Sequence, residues 1–307
     1  ALVARLGNGE AVVRQAAAAV LGTTGAKMAI PSLVAASGDI EVNVQQAIWQ
    51  ALTQIAPSWQ SSPSATEGVP ALITRLSNSE WKVRQAAAVA LGRCGPAANT
   101  AIPALVVATG DGDSDVRNAV WQALPQIDKE WPQNSLAPQG VPGLVGRMTT
   151  TDEGVRGSAV KALGLIRSAA DDHVKALVAR LGNGEAVVRQ AAAAVLGTTG
   201  AGATAAIPAL VTALADSDDS IHQTIQQALT QIDPNWQHNP LTRQGIPTLI
   251  GKLGNSEWRV RQVAAISLGK CGPAARYALA KLTQLTTIDS DSDVRNAATA
   301  ALRAIQA

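Results

Sequence analysis

The sequence predicts an all-α fold, an α-solenoid of about nine stacked helix-turn-helix units running through residues 1–307 as a single continuous array. Three observations carry this. An amphipathic segment of the form Glu80-Trp81-Lys82-Val83-Arg84-Gln85-Ala86-Ala87-Ala88-Val89-Ala90-Leu91-Gly92 recurs along the whole chain. A shorter proline-led segment, Pro70-Ala71-Leu72-Ile73-Thr74-Arg75-Leu76, precedes it. Copies follow one another at a near-constant interval, and one helix pair cannot bury its own apolar face, so neighbours must stack.

Within the longer segment, Val83, Ala86, Ala87, Ala90 and Leu91 share one helical face. Ser79 is the expected N-cap, Glu80 puts negative charge in the first turn, and Gly92 is the expected stop. In the shorter segment, Pro70 sits where a helix begins, because that position needs no N–H donor. Ser77, Asn78 and Ser79 make the turn between the two helices.

The register repeats from end to end. An acid stands at Glu10, Glu41, Glu80, Asp113, Asp152, Glu185, Asp218, Glu257 and Asp291, at spacings of 31, 39, 33, 39, 33, 33, 39 and 34. Four residues later comes Arg14, Arg84, Arg117, Arg156, Arg189, Arg261 or Arg295, with Gln45 and His222 in its place in two copies. Leucine follows seven after that, at Leu21, Leu52, Leu91, Leu124, Leu163, Leu196, Leu229, Leu268 and Leu302. A proline ten before the acid recurs as Pro31, Pro70, Pro103, Pro142, Pro208 and Pro247, with Lys175 among the exceptions.

This pattern, a Pro-started helix, a polar turn and then acid-x-x-Val-Arg-x-Ala-Ala-x-Ala-Leu-Gly, resembles HEAT repeats, in particular the HEAT-like repeats named after phycobilisome lyases. The resemblance implies a right-handed solenoid whose second helices line a concave face. It also implies that the recurring Arg and acid side chains bond between adjacent units. Within one unit the same two residues stand at i and i+4, acid first, so an intrahelical pair is the expectation from spacing.

Three units are followed by a longer connection containing Trp59, Trp131 or Trp236, with Pro63, Pro138 or Pro240 beyond. The glycine after the leucine is there replaced by Thr53, Pro125 or Thr230, so the second helix is expected to run another turn. Each of these Trp is expected to cap the core beneath its loop. Ala1 to Ala26 is identical to Ala176 to Ala201, and the segments remain alignable to Ala97 and Ala274, which indicates duplication. Neither end shows a polar capping unit, as expected of a fragment of a longer solenoid.

A net charge of +2 from 25 basic and 23 acidic residues argues against a nucleic-acid footprint. No run of about 18 apolar residues exists, so no membrane span is expected. Cys94 and Cys271 occupy equivalent positions in distant units and are expected to be separate buried thiols, which favours a reducing, cytoplasmic compartment.

His173, His222 and His238 do not stand at metal-ligand spacing, and Asp171-Asp172 ahead of His173, like Asp218-Asp219, reads as an acidic helix start. Gly110-Asp111-Gly112 and Gly200-Ala201-Gly202 join helices, so the dinucleotide fingerprint is not met. No catalytic residue, cofactor or metal is expected, and the chain reads as no enzyme.

What remains is surface. One residue after the Arg lies a line of amides that includes Gln46, Gln85, Asn118 and Gln262. Three before the Arg stand Trp81 and Trp258, at a position where other units carry Asp or Glu, so both are expected to be partly exposed. Trp49 and Trp121, four after the Arg position, flank this strip. The residues assigned to partner binding are therefore Trp81, Gln85, Trp258, Gln262, Trp49, Gln46, Trp121 and Asn118. The function this supports is a non-catalytic scaffold for another protein, with no nucleic acid and no membrane. Two alternatives stand beside it: a bilin lyase or chromophore-handling protein, suggested by the subfamily name, and a segment of a self-assembling or sensor array.

Overall fold

Helices come in consecutive pairs along the computed structural model, which describes residues 1–168, 170–216 and 218–307 and leaves the Asp219 side chain undescribed. By contact the chain falls into two compact units, Ala1–Ala162 and Leu163–Ala307. In the first, α1 (Leu2–Arg5) pairs with α2 (Ala11–Thr23), α3 (Ile30–Ala36) with α4 (Val42–Ile55), and α5 (Pro63–Arg75) with α6 (Trp81–Cys94). There follow α7 (Ile102–Ala108) with α8 (Ser114–Ile127), and α9 (Val141–Arg147) with α10 (Glu153–Ile166), which runs past the boundary. In the second, α11 (Asp171–Arg180) pairs with α12 (Ala186–Thr199), and α13 (Ile207–Ala213) with α14 (Asp219–Ile232). The last two pairs are α15 (Thr242–Lys252) with α16 (Trp258–Lys270) and α17 (Leu279–Ile288) with α18 (Ser292–Gln306). Among the described residues there is no strand. The fold is an α-solenoid of helical hairpins, as the periodicity predicts.

Helix starts differ from expectation by one residue. Glu80 rather than Ser79 takes the N-cap, in extended conformation, because Asn78 Oδ1 accepts the Glu80 N–H at 2.9 Å and fixes the turn. The acid thus stands just ahead of the first turn. Pro70 does not begin its helix either: α5 starts at Pro63, capped by Ser62, and Pro70 lies inside it without a hydrogen to donate. Pro31, Pro103, Pro142 and Pro208 do sit in the first positions of their helices.

Within each unit, successive hairpins meet in two alternating ways. At the short spacings the second helices pack together, α2 on α4, α6 on α8, α12 on α14 and α16 on α18. There the glycine after the repeat leucine faces an alanine of the next helix. A Cβ on Gly92 would lie 2.9 Å from Ala123 Cα, and one on Gly22 2.7 Å from Ala51 Cα. Gly92 is therefore no stop. Helix α6 runs through it to Cys94 and ends at Gly95, whose φ of 57° is the left-handed conformation that favours glycine.

At the 39-residue spacings the first helices pack instead, α3 on α5, α7 on α9 and α13 on α15. The close approach passes to Gly68, Gly140 and Gly245, which lie against the Pro31, Pro103 and Pro208 carbonyls. A Cβ on Gly140 would come within 2.8 Å of the Pro103 oxygen. Thr53, Pro125 and Thr230 are exposed, because no second helix abuts them. The extra helical turn expected there is absent: α4, α8 and α14 each have 14 residues, like α6 and α12.

The three connections that mark the long joints each bury their Trp. Trp59, Trp131 and Trp236 are 4%, 5% and 4% exposed, each opening a short 3-10 turn. Asn134 and Asn239 donate to Asp128 and Asp233 at 2.8 Å and pin two of the loops. Gln60 and Gln237 reach the Arg93 and Lys270 carbonyls, tying loop to the end of the next second helix.

Cys94 and Cys271 are free and fully buried, and burial pushes both thiols up to about 12. Ala186–Ala213 has the length and hydropathy of a membrane span. It is nevertheless divided into α12 and α13 at Gly200, whose φ is 66°, and neither helix approaches the ~20 residues a bilayer requires.

Candidate functional site

The recurring arginines are the first residues to test as a ligand ladder, and in Arg14, Arg84, Arg189 and Arg261 the donors are already committed. Arg84 gives Nε and Nη2 to the two carboxylate oxygens of Asp111, both at 2.7 Å, and Nη1 to the Asn78 and Ser79 carbonyls. Arg14 with Asp39, Arg189 with Asp216 and Arg261 with Asp289 repeat this bidentate geometry at 2.6 to 3.0 Å. The partner is thus not the acid four residues back. That acid occupies the N-cap in extended conformation, while the bonded Asp belongs to the turn of the next hairpin, 25 to 28 residues on. Bonding between units, which the resemblance implies, is what the structure has.

Each such Asp also accepts an N–H in its own turn, as Asp289 does from Asp291. The Arg261 bond holds the Asp289 carboxyl below its ordinary value. At Asp216, burial alone would raise the carboxyl, but the Arg189 bond and the Asp218 N–H outweigh it and the value is lowered.

Before the long joints the residue at the Arg position reaches back to its own turn. Gln45 Nε2, Arg117 Nη1 and His222 Nε2 meet the carbonyls of Asp39, Asp111 and Asp216. The long joints carry a different cation: Arg75, Arg147 and Lys252, at the ends of α5, α9 and α15, donate to the Gly38, Gly110 and Ala215 carbonyls. These Asp and cation positions were missed in the sequence. The available signal was the alternation of Asn8, Asn78, Asn183 and Asn255 with Asp39, Asp111, Asp216 and Asp289, always two residues before the repeat acid.

The second-helix strip is where side chains remain for display. Gln46 and Asn118 are exposed, and Gln85 and Gln262 are half-buried. Trp81 and Trp258 are 37% and 39% exposed. Each carries its following cation over the ring, Lys82 at 5.7 Å and Arg259 at 5.4 Å from the centroid. Trp49 and Trp121 are half-buried and engaged in the long joints. Trp49 stacks on Trp59 at 5.7 Å under the Arg93 guanidinium, and Trp121 meets Trp131 edge-on at 5.9 Å under Lys161.

Trp258 and Gln262 form one wall of a hollow of about 700 Å³ in the second unit, opposite the Arg189–Asp216 pair and the Gly182–Gly184 turn. Trp81 borders a hollow of about 560 Å³ with Glu80, Lys82, Gly112 and Asp113. Chemistry has little to work with in either. Among the described residues no group of His, Cys, Asp and Glu could hold a metal ion. His173 Nδ1 lies 2.8 Å from Ser168 Oγ, at a helix start with Asp171 and Asp172 in its first turn. The Asp218-Asp219 pair is described only in part, since the Asp219 side chain lies outside the described residues; Asp218 caps α14.

Residues 69–164, 141–230 and 207–303 match the family model described as HEAT repeats, and residues 13–39 match that of the PBS lyase HEAT-like repeat. No curated protein matches the chain. Among solved structures it is similar to an engineered protein, at 24% identity and a TM-score of 0.41, over 100% of this chain and 88% of that one. It is also similar to a mutant of Kap121p, at 14% identity and a TM-score of 0.36, over 99% of this chain and 41% of that one.

Proposed function

We propose that this chain, which belongs to the HEAT repeat family, is a non-catalytic scaffold that presents the strip along its second helices to a partner protein. We read the nine hairpins as one continuous array for this purpose. The observation that carries the proposal is the exposure of Trp81 and Trp258, at corresponding positions of the duplicated segments, beside uncharged amides. A large aromatic that leaves over a third of its surface in water contributes little to the fold, and Trp is enriched among residues that dominate binding. Gln46, Gln85, Asn118 and Gln262 supply hydrogen bonds around these anchors without a charge to desolvate. Trp49 and Trp121 border the strip and hold its shape.

The double variant Trp81→Ala/Trp258→Ala is expected to keep its helical circular dichroism. Partner capture is expected to weaken by at least about 2 kcal/mol, the scale of a binding hot spot. Undiminished capture by the double variant removes the strip from the binding surface. The chromophore-handling alternative gains nothing from the two cysteines, which are buried and held as thiols.

A further inference from the structure

The three long joints are built on one plan but not closed by the same atoms. Between α8 and α10, Trp121 Nε1 donates to Ser158 Oγ at 2.9 Å, and that hydroxyl donates to the Thr109 carbonyl at 2.5 Å. One hydroxyl therefore satisfies a buried indole N–H and a buried turn carbonyl together. Between α14 and α16 the corresponding carbonyl, Leu214 O, receives the Ser267 hydroxyl at 2.7 Å. Thr109, Leu214 and Ser37 are equivalent, each two residues before the turn Asp.

The joint between α4 and α6 has the same indole, Trp49, and the same turn, with Ser37 buried and its own hydroxyl spent on the Val34 carbonyl. Neither serine is present: Ala86 stands in the register of Ser158, two after the Arg, and Ala90 in that of Ser267, six after it. Trp49 Nε1 is buried and finds no acceptor among the described residues. The unmet indole and the Ser37 carbonyl thus stand at the register positions that the neighbouring joint bridges with an oxygen. A bridging water costs less in entropy than leaving a buried donor without an acceptor.

We infer that this is a built site for a single internal water, which accepts from Trp49 Nε1 and donates to the Ser37 carbonyl in place of the Ser158 hydroxyl.

The test is Ala86→Ser, which supplies the missing oxygen covalently. The folding equilibrium constant is expected to rise about fivefold, the worth of one net hydrogen bond. The same substitution in a Trp49→Phe background should show a smaller gain, because the hydroxyl then serves the Ser37 carbonyl alone. An equal gain in both backgrounds overturns the inference. A crystal structure of the unaltered chain at high resolution provides the second arm. Ordered density within hydrogen-bonding distance of both Trp49 Nε1 and Ser37 O supports the site, and a dry gap there refutes it.

Discussion

Arg261→Ala is expected to destabilise the protein by about 1.5–3 kcal/mol, the cost of leaving a part-buried carboxylate without its charged partner. Arg261 and Asp289 keep only 13% and 3% of their side-chain surface exposed, and the two bonds between them are 2.7 and 2.8 Å. Alanine also frees the Asn255 and Ser256 carbonyls that Nη1 now serves. Arg295 is the control, since it bonds only the Asp289 and Ser290 carbonyls of its own turn. Arg295→Ala should cost about 1 kcal/mol, the net worth of such hydrogen bonds. Urea midpoints for the two variants separate these values.

The pair also sets an acid limb. Because Arg261 lowers the Asp289 carboxyl, its stabilisation is fully present above the unfolded carboxylate range. It is lost as pH falls through the lowered native value. In Arg261→Ala this pH-dependent loss should shrink, since the group that lowered the carboxyl is gone.

Trp131→Ala is the second large effect, expected at about 3–5 kcal/mol. The ring is 5% exposed and meets Trp121 edge-on, so truncation opens a cavity and removes an aromatic pair together. The pair alone is worth about 0.5–1.5 kcal/mol beyond its buried area. Trp81→Ala, at a ring 37% exposed, should move the thermal midpoint far less. Thermal melts of the two variants, run side by side, check the contrast.

Most of the fold was legible because the helix period is written locally: the repeat acid and Leu mark each second helix, and proline marks most of the first. What was not legible is which face meets which neighbour. Gly92 reads as a stop because glycine follows the last apolar residue, yet its reason is Ala123 of another helix, while the true stop is Gly95. The acid-to-Arg pairing failed in the same way. Spacing suggested an intrahelical bond, but the extended turn turns the acid aside and an Asp of the next hairpin takes the guanidinium. The 31-to-34 and 39 spacings were visible, but their alternation gains meaning only when the joints are seen.

The strip shows the same division. Exposure at Trp81 and Trp258 could be inferred from the Asp and Glu that other units carry there. The half-burial of Trp49 and Trp121 could not, because the rings that cover them, Trp59 and Trp131, arrive from loops beyond the helix.

Alternation of second-helix and first-helix joints within each unit is the claim on which the rest stands, and a residue exchange at one register position tests it. Gly92 lies at a second-helix joint, and Thr53 holds the same place in a unit where no second helix abuts it. Gly92→Thr should lose about 1–3 kcal/mol through overpacking, although threonine is the better helix former. Thr53→Gly should lose well under about 1 kcal/mol, the propensity difference alone. A neutral or stabilising Gly92→Thr, measured by equilibrium unfolding, would show that α6 and α8 do not meet there and would contradict the alternating array.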